Sequence, residues 1–446
     1  VTPPTCDVGE RLVNGGASFN FRARAAMSAR AGGEAMHGGG RSAYAHASQA
    51  VANLRGVFII ILVSFHSCLA YLGSTAGPAP AFDEAPYAWL AFPIVDQRRF
   101  FGFDLYCAWE DVHVMALMFF LSGLFIAPSL KRKGAARFAA DRLRRLGVPF
   151  LFSLFLLTPL AIYPVFRSLN RQAGVADYLA AYRNLPFLPN GPQWFLWLLL
   201  AYSLALAALY AFAPGAVEGL ARLASGARRR PGLFLSALGA AAGLAYVPIT
   251  LAYGPFGWVE TALFSFQQSR PLLYGVYLFA GVAVGAAGLG EGLLAPDGGL
   301  AAGWKRLAVA SPSMLFLWMG LTGVALNLPD FAPVLMRLFS ALAYVGASVA
   351  GVMLLMAATT RFAAQRIRWL EPLSRNALGI FVLHYAPVVW MQWALTGLAL
   401  PALLKAALVF AVALSLSLGL AAAMRRSALT AWLIGEDALR ERGRRG

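Results

Sequence analysis

An arginine and a histidine stand eleven residues apart, Arg55 and His66, in the otherwise apolar stretch LRGVFIIILVSFHSCLAYL. At 100° per residue, eleven positions end about 20° past three full turns, so on a helix both side chains share a face, with a rise of roughly 16 Å between them. An ionisable group inside a membrane costs about 2.5–3.5 kcal/mol on insertion scales, so two on one face point to a lined cavity. An imidazole exchanges protons near neutrality and suits a general base acting on a hydroxyl. The bland alternative is a histidine satisfied by a neighbouring backbone carbonyl. The in-phase arginine argues against it.

A second group lies in MFFLSGLFIAPSLKRKGAARFAADRLRRLGVPF, residues 118–150. Ser122 and Gly123 are small enough to let helix backbones approach closely. Arg142 and Arg145 are three apart, neighbours on a helix face, and can clamp one multiply charged anion. The competing reading is a basic anchor on acidic lipid headgroups. His113 is expected to open the second span, after Glu110 and Asp111; residues two apart do not face each other on a helix, which disfavours an Asp111–His113 dyad. A metal centre built from His66, His113 and a carboxylate is disfavoured too, and no metal is expected. His384 falls inside EPLSRNALGIFVLHYAPVVW, and Trp194 and Trp197 read as interfacial aromatics. Cys6, Cys68 and Cys107 have no metal-ligand spacing; Cys68 and Cys107 either pair or, as the favoured reading, pack as free thiols.

These residues need a membrane scaffold to hold them. Of 446 residues, 59% are hydrophobic and 13% charged, with mean hydropathy +0.63, against about 25% charge in a soluble domain. The formal charge of +17 comes from short basic clusters between apolar runs, which excludes a nucleic-acid groove and marks cytoplasmic loops. Ten spans are expected, at 53–73, 111–130, 146–166, 194–213, 232–252, 271–288, 307–326, 334–357, 376–396 and 400–423. Of the 37 Lys and Arg, 29 fall on alternate connections, which places both termini in the cytoplasm. The expectation is an all-α bundle: a disordered tail over 1–50, a transmembrane domain over 51–425 and a basic tail over 426–446. His37 and His46 fall in the first tail, where Met27 or Met36 offers a later start. No internal repeat or discontinuous-helix pair of the transporter kind stands out.

Over roughly residues 50–425 the chain resembles the membrane-bound acyltransferase-3 family, including the glucan biosynthesis protein C-like succinyltransferases. Arg55-x10-His66 carries the resemblance. With it come Phe119–Gly123 followed by Arg142 and Arg145, then WFL at 194–196 and LSRNALGIFVLHYAP. The Gly/Ala-rich tail and WEDVHVMAL depart from the simplest pattern. The resemblance implies transfer of an acetyl or succinyl group from acyl-coenzyme A to a hydroxyl of an envelope or extracellular glycan, in a bacterial cytoplasmic membrane. In that reading His66 serves the acceptor hydroxyl, Arg55 orients the donor or steadies negative charge, and Arg142 and Arg145 hold coenzyme phosphates. The partners are the bilayer, acyl-coenzyme A and a carbohydrate. A glycan or lipid transporter, with the same residues lining a route, is the alternative. His66→Ala is expected to abolish transfer with near-normal insertion and abundance. Arg55→Lys, which keeps the charge and loses the planar fork, is expected to be strongly impaired too; near-normal turnover of either variant, measured per inserted molecule, removes that residue from the chemistry.

Overall fold

The computed structural model describes residues 43–438 except 76, 78–80, 86, 262–264 and 329. The expected tail through residue 42, with Cys6, Met27, Met36 and His37, lies outside them.

Among the described residues nine helices are long and apolar enough to cross a membrane. They are α1 (Ala43–Tyr71), α2 (Gly102–Lys133), α3 (Ala135–Leu169), α4 (Gly191–Phe212), α5 (Pro231–Tyr253), α6 (Arg270–Ala287), α7 (Trp304–Asn327), α8 (Pro333–Phe362) and, after a bent pair, α11 (Ala402–Met424). The bent pair, α9 (Ala377–Leu383) and α10 (Tyr385–Leu395), turns by 44° and is long and apolar enough to cross only when its two halves are taken together. The protein is an all-α polytopic membrane protein. A short hairpin, β1 (Trp258–Glu260) against β2 (Ser265–Gln267), pairs Trp258 with Gln267 between α5 and α6.

Several boundaries differ from the sequence expectation for one reason. Hydropathy registers the hydrocarbon thickness, whereas helices continue past it. Helix α1 begins at Ala43, inside the expected tail, and His46 sits on it with Nε2 2.9 Å from the Thr360 carbonyl. Helix α2 begins at Gly102 because Asp104, Glu110 and Asp111 depress hydropathy without breaking the helix. His113 therefore lies well inside α2, not at its start. Helix α3 begins at Ala135 and carries Arg142 and Arg145 within it. The span expected at 376–396 is the broken one, with His384 at the break, so a discontinuous pair exists where none was read. The C-terminal segment also does not begin as a free tail at 426: Ala428–Leu433 is helical and Ile434 is fully buried.

In their most apolar stretches α1 and α2 are 67% buried and α6 and α8 61%, against 17–22% for α5, α7 and α11. The first four therefore form the interior and the others face lipid. Helix α6 packs along α2, α7 along α8, and α10 between α3 and α11. The α2–α6 contact is nearly backbone on backbone. A Cβ at Gly281 would lie 2.1 Å from the Phe120 oxygen, one at Gly285 2.0 Å from the Leu124 oxygen, and one at Gly123 2.2 Å from the Leu278 oxygen. This is the small-residue packing that membrane helices use without a hydrophobic drive between them. On one side of the bundle, Phe82 stacks on Trp89, Tyr87 meets Phe187, and a fully buried Asp96–Lys405 ion pair of 2.6 Å ties the connection after α1 to α11. Gly281→Ala is expected to destabilise the protein by about 1–3 kcal/mol, since carbonyl oxygen on a packed backbone cannot retreat. Gly239→Ala, with nothing within 4 Å of its Cβ, should be neutral; thermal unfolding in detergent compares the two.

Candidate active site

Two cavities lie toward opposite ends of the bundle, and Phe381 of α9 lines both. The first, of about 240 Å³, is bounded by His66 of α1, Glu110 and Asp111 of α2, Trp194 of α4, Arg270 and Tyr274 of α6, and Tyr385 of α10, with Trp258, Phe266 and Gln267 from the hairpin. The second, of about 340 Å³, is bounded by Arg55, Ser122, Arg142, Arg145 and Arg375, with Gly435 and Glu436 from the C-terminal segment.

In the first chamber, His66 Nδ1 is 2.9 Å from the Leu62 carbonyl. A carbonyl only accepts, so Nδ1 carries the proton and Nε2 keeps its lone pair. That is the tautomer a general base needs. The backbone bond that could have made His66 inert instead orients it. Gln392 reinforces the turn by donating to the His66 carbonyl at 2.8 Å. His384 stands beside it, ring centroids 4.9 Å apart, with Nδ1 2.7 Å from the Phe381 oxygen. By the same logic the neutral His384 ring carries its proton on Nδ1; its Nε2 is buried and has no hydrogen-bond partner among the described residues. The carbonyl it uses is made accessible by the break between α9 and α10.

The second chamber is basic. Arg55 projects into it with its guanidinium 5.9 Å from the Phe125 ring centroid, and Arg142 lies 4.8 Å from that of Phe138. Pro149 has no N–H for the Arg145 carbonyl, and a wide π-turn over Leu143–Gly147 precedes it. Gly435 fills that spot: its φ of +70° suits glycine, and a Cβ there would lie 2.4 Å from the Arg145 oxygen. Asp437 then accepts from Arg145 at 2.5 Å and Arg144 at 3.1 Å. Burial pushes the Asp437 carboxyl up, but Arg145 and Arg144 outweigh it and hold it below its ordinary value. Glu436 goes the other way: burial raises it, against the pull of Arg425 and Arg145.

The residues singled out from sequence thus separate. Arg55, Ser122, Arg142 and Arg145 share the basic chamber; His66 and Trp194 share the other, with His384 adjoining. Gly123 serves the α2–α6 contact. His113 lines neither chamber: its Nδ1 is 2.5 Å from the Trp109 oxygen, and it packs so closely on α8 that a Cβ at Gly351 would lie 1.8 Å from its ring. Trp194 is more than an interfacial anchor, stacking on Tyr274 at 5.7 Å beside the cavity. Cys68 and Cys107 are both free thiols. Among the described residues no group of His, Cys, Asp and Glu is gathered as a metal would need. Sequence reasoning missed Arg270, Tyr344 and the C-terminal closure; the charges of WEDVH at a span entrance were the one available signal.

The profile of the acyltransferase-3 family, an acyltransferase domain, matches residues 49–426, nearly the whole chain. The chain belongs to the acyltransferase-3 family. No curated protein and no solved structure matches it. As a multi-pass acyltransferase, the chain combines a basic chamber with a histidine chamber. A test of the neighbouring imidazole follows. His384→Phe removes an unsatisfied buried nitrogen but also the Nδ1 bond to the Phe381 oxygen, so its effect on stability is expected to be small. The expected result is a loss of kcat of about tenfold or more, with the unfolding temperature little changed; unchanged kcat assigns His384 to packing alone.

Proposed function

We propose that the enzyme moves an acetyl or succinyl group from acyl-coenzyme A, bound at the cytoplasmic face, to a hydroxyl of an envelope or extracellular glycan beyond a bacterial cytoplasmic membrane. The observation that carries this reading is the pair of chambers meeting at Phe381, one with four arginines and one with an imidazole. The basic chamber lies on the side of the Arg-rich connections, which the positive-inside rule assigns to the cytoplasm.

The chemistry follows from the two ends. Arg55, Arg142 and Arg145 hold the coenzyme's phosphates through charge-assisted hydrogen bonds. Its thin pantetheine arm runs past Phe381 and delivers the thioester to His66. The rise of roughly 16 Å from Arg55 to His66 makes Arg55 a donor-orienting group rather than one that touches the reacting carbonyl. His66 Nε2 takes the proton of the acceptor hydroxyl as its oxygen attacks the thioester carbon. The carbon–sulfur bond then breaks, and the departing thiolate recovers the proton from the imidazolium. Consumption of the thioester in step with acylation of the acceptor separates this from transport, which leaves the thioester intact.

Replacing Arg142 and Arg145 together by Gln tests the donor assignment. Charged hydrogen bonds contribute about 1.5–3 kcal/mol each, so losing even one raises the donor KM roughly tenfold to a hundredfold. The acceptor KM should move far less. A lipid-anchor role instead predicts altered topology or abundance, with an unchanged donor KM per correctly inserted molecule.

A further inference from the structure

The histidine chamber contains more charge than the acyl transfer uses. Arg270, 3% exposed, is fully engaged: Nη2 donates to Asp111 at 2.5 Å, Nε to Gln267 Oε1 at 2.9 Å, and Nη1 to the Tyr344 hydroxyl. Its guanidinium also lies over the rings of Tyr344 and Tyr246, at 4.6 and 5.7 Å. Arg270 and Asp111 therefore cancel. Glu110, also 3% exposed, lines the same cavity, and among the described residues no side chain donates a hydrogen bond to it. The chamber holds two carboxyls for one cation, and the second carboxyl lacks a partner. Unpaired carboxyls are costly to bury, so a ligand that donates hydrogen bonds completes the site.

The walls define that ligand further. Trp194, Tyr274, Trp258 and Phe266 surround the space with aromatic faces. The cavity, of about 240 Å³, is large enough to take a sugar ring. We infer that Glu110 recognises the acceptor by hydrogen-bonding its hydroxyls, and that the acceptor enters as an uncharged polyhydroxylated ring. An anionic ring, such as a uronate, would set a third carboxyl against a single cation and is rejected. This rests on the acyl-transfer reading for its assay, but the site itself is a binding site.

The experiment uses the full chain in nanodiscs, with acetyl-coenzyme A as donor and methyl glucoside or methyl glucuronide as probe. Binding is read by tryptophan fluorescence and transfer by acceptor-dependent release of thiol. Wild type should bind and acylate the glucoside, with the glucuronide at least about tenfold poorer. Glu110→Gln should raise the glucoside KM about tenfold and shrink that preference, moving the donor KM less than about twofold. These changes correspond to a loss of about 1.4 kcal/mol. Trp258→Ala, at a 40% exposed hairpin position, supplies a variant that does not disturb the core and should raise the KM for both glycosides. An unchanged glucoside–glucuronide ratio in a folded Glu110→Gln, or unchanged acceptor KM values in Trp258→Ala, overturns the subsite while leaving acyl transfer intact. Glucoside binding that depends on Glu110 without any thiol release supports the subsite and overturns the proposed reaction.

Discussion

Helices α2 and α6 touch through their backbones, and the arrangement of both chambers depends on that contact. Gly123, Gly281 and Gly285 remove the side chains that would otherwise separate the two helices. Helix α2 then spans both chambers by itself, with Ser122 in one and Glu110 in the other, twelve positions or roughly 18 Å apart along the axis. Helix α6 brings Arg270 to the second of these positions and stacks Tyr274 on Trp194. Phe381, between the chambers, is packed on Phe195 of α4 at 5.4 Å. The separation of the basic chamber from the histidine chamber is thus set by helix contact rather than by a flexible loop.

The cations of the bundle divide into two kinds. Lys405 and Arg270 are each matched to a carboxylate, Asp96 and Asp111, within 2.6 Å. Arg55 and Arg142 make no such pair among the described residues and rest against phenylalanine rings instead. Breaking a matched buried pair leaves a stranded charge, which is strongly destabilising. An unmatched arginine facing a cavity carries no such debt to the fold. Cations therefore tie helices together in one place and line a cavity in another, and the partner distinguishes them.

This distinction also explains what could be read from the sequence. Arg55 and His66 lie on one unbroken helix, where relative position depends only on spacing and helical geometry, and both line cavities as their phase requires. Spans and family were legible because apolar length and motif order are properties of single segments. Arg142 and Arg145 were legible as a pair, but the seat of Gly435 on the Arg145 carbonyl was not, because the two lie almost three hundred residues apart. Asp111 and Arg270 meet across 159 residues, and Arg144 and Asp437 across 293. Such contacts depend on how whole helices pack, and no local pattern encodes them. The break at His384 was hidden because an apolar run of full length conceals a 44° turn.

The seat of Gly435 on the Arg145 carbonyl has a consequence in time. Chains are made from the N-terminus, and segments fold in the order in which they emerge. Helices α1 and α3, which carry Arg55, Arg142 and Arg145 of the basic chamber, precede residues 428–437 by hundreds of positions. Until residues 428–437 have been synthesised and have docked, the Arg145 carbonyl and Pro149 lack their cover, and Arg144 and Arg145 lack Asp437. The basic chamber is therefore closed long after its first arginines have entered the membrane, and a half-made chain that stops short of this stretch has no finished basic pocket.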